Sequence, residues 1–144
     1  MQAIKDHYKN LIIGFGKGGK TLAAYLAGRG EEVAIVEKSK GMYGGTCINI
    51  ACIPTKSLIV NAEKGLPYPE AHTIKDQLTA TLRQKNYDKI ANAPQATVID
   101  GTAPLAHASS VTVKTEDEEK TITAERIFIN TGTKPFVPGI DGVY

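Results

Sequence analysis

The sequence predicts an α/β fold: a parallel sheet opened by a strand–helix–strand unit, with an antiparallel β-hairpin or meander following it. Three observations carry this. An apolar run ending in Leu11-Ile12-Ile13 passes through a cluster of glycines into a helical segment, and then into Val33-Ala34-Ile35-Val36. Two alternating segments, Ser110 to Thr115 and Lys120 to Ala124, are separated by the acidic run Glu116 to Glu119. The 144 residues fit one domain with enough chain to bury a core.

In chain order, Tyr8 to Ile13 reads as a short buried strand that runs into Gly14-Phe15-Gly16-Lys17-Gly18-Gly19. Lys20 to Arg29 then reads as a helix with Leu22, Ala23 and Leu26 on one side, punctuated by Gly28 and Gly30. Val33 to Val36 is a second apolar strand, closed by Glu37-Lys38. This βαβ order implies parallel strands and a right-handed crossover. Gly41 to Gly45 form a loop, and a helical pattern spans Thr46 to about Lys64 with Pro54 interrupting it. Gly65-Leu66-Pro67-Tyr68-Pro69 breaks that pattern before another helix, Glu70 to Gln84. Ala96 to Ile99 is a strand ending at Asp100-Gly101. The alternating pair makes an antiparallel hairpin with a charged tip. Arg126 to Asn130 reads as a further buried strand meeting Thr131-Gly132-Thr133-Lys134-Pro135.

Composition excludes several classes. The chain is 42% hydrophobic and 22% charged, ordinary values for a soluble protein. A net charge of +2 argues against non-specific nucleic-acid binding, which needs clustered basic charge. The first residues hold no apolar stretch of signal-peptide length, and no window approaches the ~20 apolar residues of a membrane helix. A cytoplasmic protein with no membrane partner is expected. Two cysteines, Cys47 and Cys52, are too few for the disulfide framework of a secreted domain. A close pair in a reducing compartment indicates catalysis, redox sensing or metal binding.

Gly14-x-Gly16-x-x-Gly19 follows a strand and opens a helix, and Glu37 closes the next strand 23 residues after Gly14. This is the context a dinucleotide fingerprint requires. Gly14 permits the tight turn, Gly16 lets the backbone approach a pyrophosphate, and Gly19 lets helix and strand pack closely. The helix N-terminus offers free amides to the phosphates. Glu37 can accept hydrogen bonds from a ribose diol and repels a 2′-phosphate, which favours FAD or NAD over NADP.

Four residues separate Cys47 from Cys52. In a regular helix that spacing gives an axial rise of ~7.5 Å, whereas bridgeable cysteines rarely have Cα atoms beyond about 7 Å. A disulfide between them therefore requires a distorted backbone. Pro54 supports distortion, since it lacks the amide that would bond the carbonyl of Ile50. Cys47 lies nearer the helix start, where the dipole acidifies a thiol, so it is assigned attack on the substrate. Cys52 is the partner facing a cofactor. Two inert buried cysteines or half of a zinc set remain alternatives. His7, His72 and His107 stand in no ligand-like spacing, and no metal site is expected.

Gly44 to Lys56, Gly-Gly-Thr-Cys-Ile-Asn-Ile-Ala-Cys-Ile-Pro-Thr-Lys, match the signature G-G-T-C-x-N-x-G-C-x-P-[ST]-K in all but Ala51. The chain thereby resembles the flavin-dependent pyridine nucleotide–disulfide oxidoreductases, which include lipoamide dehydrogenase, glutathione reductase and mercuric reductase. The likeness covers nearly the whole chain. Gly14, Gly16, Gly19 and Glu37, with Lys38 beside it, match the FAD fingerprint. Gly101-Thr102-Ala103 match a segment that approaches the adenine. Thr131-Gly132-Thr133-x-Pro135 match an element that passes near the flavin dinucleotide. Met42 to Ile50 is most similar to the RclA-type branch, associated with defence against reactive chlorine species, with hypothiocyanous acid or copper(II) as proposed oxidant.

The resemblance implies a Rossmann-like FAD-binding domain and an electron relay from NAD(P)H through FAD to Cys52, then to Cys47 and a small oxidised substrate. It places Lys56 near the flavin's reactive nitrogen and Gly45-Thr46 at the cofactor, where Thr46 bonds the cofactor, caps its helix, or does both. Family chains are several times longer and work as homodimers. Residues 1–144 are accordingly expected to be the N-terminal part of the FAD-binding domain. They lack the second nucleotide fingerprint and the dimerisation domain with its acid–base histidine. Alone they are expected to fold, to hold FAD weakly, and not to turn over NAD(P)H. A stand-alone redox sensor or a thiol metal-binding module are the rival functions.

Overall fold

Strands β1 (His7–Ile13), β2 (Val33–Glu37) and β3 (Ala96–Asp100) run parallel in a computed structural model that describes residues 3–134 and 136–142. On the other side of β1 lies β6 (Glu119–Ile129), also parallel to it. β6 then pairs antiparallel with β5 (Ser110–Lys114), which pairs with β4 (Leu105–His107). One six-stranded sheet results, in the order β3-β2-β1-β6-β5-β4. The parallel part, the βαβ opening and the hairpin all agree with the sequence.

Parallel strands at the centre of a sheet are covered on both faces, so they carry near-continuous apolar runs. Every residue of β2 is buried, Glu37 included. On one face Tyr8, Leu11, Ala34, Val36 and Ile99 pack with Val111, Val113 and Ile122 of the meander. On the other, Ile12, Val33, Ile35 and Phe15 pack with Ala23 and Leu26 of α1 (Lys17–Gly28) and Ile90 of α4 (Tyr68–Ala91).

Three elements depart from the sequence pattern. The helix expected from Thr46 to Lys64 is two, α2 (Thr46–Asn49) and α3 (Cys52–Glu63). The break falls at Ile50 (φ −126, ψ −44) and Ala51 (φ −111, ψ −88), not at Pro54. Pro54 sits in the first turn of α3, where a missing amide costs nothing because first-turn amides have no partner inside the helix. α4 runs on to Ala91, beyond Gln84, since no glycine or proline interrupts it before Pro94. The segments Lys120–Ala124 and Arg126–Asn130 are not separate strands. They form one strand that pairs with β5 at its start and β1 along its length, and its last residues are only half-buried or exposed. Pro135 of the Thr-Gly-Thr-x-Pro element lies outside the described residues. Among the described residues no helix is long and apolar enough to cross a membrane.

Candidate functional site

The site begins where β1 turns into α1. Gly14 has φ +105, and the amide of Gly14 donates to the carbonyl of Val36 at 2.8 Å. A Cβ on Gly14 would stand 2.2 Å from the carbonyl oxygen of Asn130, and one on Gly19 would stand 2.4 Å from that of Gly14. Gly16 is the N-cap of α1 and no side chain caps that end. The amides of the first turn are thus left for an anion.

Glu37 sits at the C-terminal end of β2, beside this turn. Its Oε2 accepts from the amide of Phe15 at 2.9 Å and its Oε1 from that of Ser39 at 3.1 Å. Each carboxylate oxygen has a second lone pair, so Glu37 can hold the turn and still accept ribose hydroxyls. A groove of about 230 Å³ is lined by Gly14, Glu37, Lys38, Gly101, Ala103 and Thr131, together with Ile13, Val36, Thr102 and Pro104. Six of the sequence-predicted cofactor residues therefore meet in one cleft. Gly132 follows Thr131 but a Cβ there would meet nothing, so the structure gives it no packing role. The glycine cradle, the uncapped helix end and the buried carboxylate fit an FAD pyrophosphate and ribose.

The cysteine turn is seated on the glycine turn. A Cβ on Gly45 would lie 2.7 Å from the Cα of Gly16, and the amide of Gly44 donates to the carbonyl of Phe15 at 3.0 Å. Gly45, at φ +77, is the N-cap of α2. Thr46 is therefore the first residue of that helix and does not cap it through its side chain, contrary to one sequence expectation. Thr46 is exposed.

Cys47 is half-buried and Cys52 exposed, and both are free thiols. The helix break at Ile50–Ala51 falls between them. Side-chain interaction with Cys52, followed by burial and the charge of Cys52, pushes the Cys47 thiol above its ordinary value. Lys17 and Lys20 pull the other way but do not prevail. This corrects the dipole argument: α2 is a single four-residue turn, whereas Cys52 opens the twelve-residue α3. Cys52→Ser is expected to lower the pH at which Cys47 becomes reactive, because the leading cause of the upward push is removed. Peptide-resolved alkylation of Cys47 across pH measures this, and a profile that stays put contradicts it. Lys56 stands one turn after Cys52 on the same face of α3 and is exposed.

Several residues of the site carry no strong sequence mark. Asn130 Nδ2 donates to the carbonyl of Gly14 at 3.0 Å, and its side chain lies against Gly16, Gly18 and Gly19. Asn49 Nδ2 donates to the carbonyls of Tyr43 and Gly45, both at 3.0 Å, while Asn49 Oδ1 accepts from Nε of Arg83 at 2.9 Å. Asn49 is the asparagine of the cysteine signature, so the motif could have flagged it. Tyr43 packs between Phe15 and Tyr87 and its hydroxyl donates to Asp100, with burial and then that contact pushing the phenol far above its usual range. Among the described residues no three His, Cys, Asp or Glu side chains converge as a metal set.

Comparison with known proteins agrees with this geometry. The family described as pyridine nucleotide-disulphide oxidoreductase matches residues 8–144. The chain is 46% identical over 138 residues to the probable pyridine nucleotide-disulfide oxidoreductase RclA of Escherichia coli (strain K12), covering 96% of this chain and 31% of that protein. It is 31% identical over 155 residues to the mercuric reductase of Streptomyces lividans, covering 94% and 32%. Among solved structures, the Cu(II) complex of the HOCl-induced flavoprotein disulfide reductase RclA from Escherichia coli superposes with a TM-score of 0.91 at 45% identity, covering 94% of this chain and 31% of that one. The chain thus spans about a third of the length of the relatives it matches. With its glycine turn, buried carboxylate and paired thiols, it belongs to the pyridine nucleotide-disulphide oxidoreductase family.

Proposed function

We propose that the whole protein is an NAD(P)H-dependent flavoprotein that reduces a small oxidised substrate at the Cys47–Cys52 pair. One observation carries this: the helix breaks between the two thiols, on a turn packed through Gly45 directly against the glycine turn. When bound, FAD supplies two-electron exchange between a nicotinamide and a disulfide. The residues of this chain divide the remaining work. Gly14, Gly16 and Gly19 with the open end of α1 hold the pyrophosphate, and Glu37 the ribose. Gly101, Ala103, Lys38 and Thr131 line the groove for the adenosine end. Cys52, at the start of α3 with Lys56 one turn on, is the cofactor-side sulfur. Cys47 is the sulfur that meets the substrate. Because Cys47 is pushed upward, it needs a base to become a thiolate, and a partner subunit of a homodimer is the source we propose.

The 144-residue chain alone is proposed to hold FAD weakly and not to turn over NAD(P)H. The RclA resemblance supports a reactive chlorine or thiocyanate-derived oxidant, or copper(II), as substrate. The copper(II) complex of that relative also supports metal-ion binding as a second reading. The test uses the FAD-loaded whole protein, oxidised and freed of air. One equivalent of NADH or NADPH is expected to expose two new thiols, mapping to Cys47 and Cys52. Flavin bleaching with no new thiols would rule the relay out.

A further inference from the structure

We propose that the substrate approaching Cys47 is a small anion, drawn and oriented by Lys20 on the opening turns of α1. This rests on the disulfide-reductase function of the same site and adds the charge of its substrate. The cations are placed deliberately. Lys20 is half-buried, and its ammonium donates to Oδ1 of Asn86 on α4, 66 residues away. A carboxamide oxygen fixes a cation in place without neutralising it. Among the described residues every ion pair lies elsewhere, so neither Lys17, Lys20 nor nearby Lys89 is matched to a carboxylate.

The backbone brings these charges to the thiol. Gly45 packs on Gly16 and the amide of Lys17, which sets the start of α1 against the start of α2, where Cys47 stands. Burial first, then Lys17 and more weakly Lys89, draw the Lys20 ammonium below its ordinary value, and Cys47 acts in the opposite sense. Reciprocally, Lys17 and Lys20 draw Cys47 down. A partly desolvated ammonium such as Lys20, with like charges near it, costs free energy unless an anion completes the set.

Two anions could do so. An FAD pyrophosphate held at the open end of α1 would account for Lys17, the first residue of that helix. Lys20 is nearly a full turn further along, is tied to α4, and couples to Cys47. Its counter-charge is the substrate. The sequence shows the two lysines only as fillers around the glycine fingerprint, and their relation to Cys47 exists only in the fold.

Alkylation with paired probes tests this. In FAD-loaded whole protein carrying Cys52→Ser, Cys47 is reacted with iodoacetate, an anion, and with iodoacetamide, which is neutral. Both reagents need the thiolate, so thiol acidity cancels in the ratio of their rates and only recognition of probe charge remains. The iodoacetate-to-iodoacetamide ratio is expected to exceed that of 2-mercaptoethanol and to fall about 3–10-fold in Lys20→Gln, the size of one nearby charge at intermediate dielectric. Lys20→Arg is expected to restore it. Added salt is expected to shrink the ratio in the protein with Lys20 intact, a readout that needs no lysine variant. A ratio equal to that of 2-mercaptoethanol, or one indifferent to Lys20→Gln and to salt, overturns the proposal. So does a raised ratio that appears without FAD and vanishes on loading, since the lysines would then serve the pyrophosphate. None of these outcomes depends on turnover, so failure here is distinct from failure of NAD(P)H to expose the two thiols.

Discussion

Serine at Cys52 is expected to stop turnover of the whole flavoprotein while leaving Cys47 able to capture a disulfide, and serine at Cys47 is expected to stop it one step earlier. With an aromatic disulfide as probe, the Cys47 thiolate attacks one sulfur, forms a mixed disulfide and releases an aromatic thiolate. The Cys52 thiolate then attacks the Cys47 sulfur, closes the intramolecular disulfide and expels the second aromatic thiolate. The break at Ile50–Ala51 makes the second step feasible, since an unbroken helix would hold the two residues too far apart. Without Cys52 the mixed disulfide accumulates. Without Cys47 nothing is captured, although Cys52 and Lys56 keep their places on α3. In both variants turnover is expected to fall by at least about 10³-fold, the scale on which losing one member of a catalytic unit acts. Mass spectrometry of the quenched protein separates them: an adduct on Cys47 in Cys52→Ser, and none in Cys47→Ser. Retention of a tenth of the activity by either variant would show that the pair is not the route.

The contrast between Cys47 and Gly14 shows which parts of the site a sequence can disclose. Gly14, Gly16, Gly19 and Glu37 are legible because their roles are local to a βαβ unit whose strands and helix announce themselves by apolar period. A break between the two cysteines is legible because a disulfide at their spacing excludes a regular helix. The position of the break was not, because Pro54 signals disruption while sitting where a helix tolerates it, and the backbone turns at Ile50–Ala51, where no residue type marks it. The ionisation of Cys47 is hidden for a related reason. The pattern shows one helix where there are two, and interaction with Cys52 is the leading cause of the upward push on Cys47. Asn130 and Asn86 were invisible. Their partners, Gly14 and Lys20, lie 116 and 66 residues away, and a lone asparagine has no periodicity to betray it. β6 was cut in two because its halves face different neighbours, β5 and β1, and each half shows its own pattern.

Gly14→Ala is expected to cost both the fold and the cofactor, in contrast to Gly28→Ala fourteen residues later. At Gly14 the backbone holds φ +105, and the new methyl would lie 2.2 Å from the Asn130 carbonyl oxygen and 2.8 Å from its carbonyl carbon. These are backbone atoms, fixed by the amide of Asn130 donating to the carbonyl of Ile13 at 2.8 Å and by the pairing of β6 with β1. No rotamer change relieves the overlap. Positive φ alone costs a residue with a Cβ roughly 1–2 kcal/mol, and forcing a methyl into filled space adds about 1–3 kcal/mol. A loss of about 2–5 kcal/mol is a large share of the ~5–15 kcal/mol that holds a typical domain together. The displacement also falls on the turn whose amides face the pyrophosphate, so FAD loading is expected to fall further than global stability requires. At Gly28, the last residue of α1, a Cβ would meet nothing within 4 Å and the backbone is helical. Alanine there is expected to leave stability unchanged or raise it by up to about 1 kcal/mol, from helix propensity and a less flexible unfolded chain. Chemical denaturation of both variants, with flavin fluorescence on the same samples, checks the pair. Equal midpoints for the two alanines would mean that the turn at Gly14 is not closed against β6, and with it would go the cradle on which the placement of FAD depends.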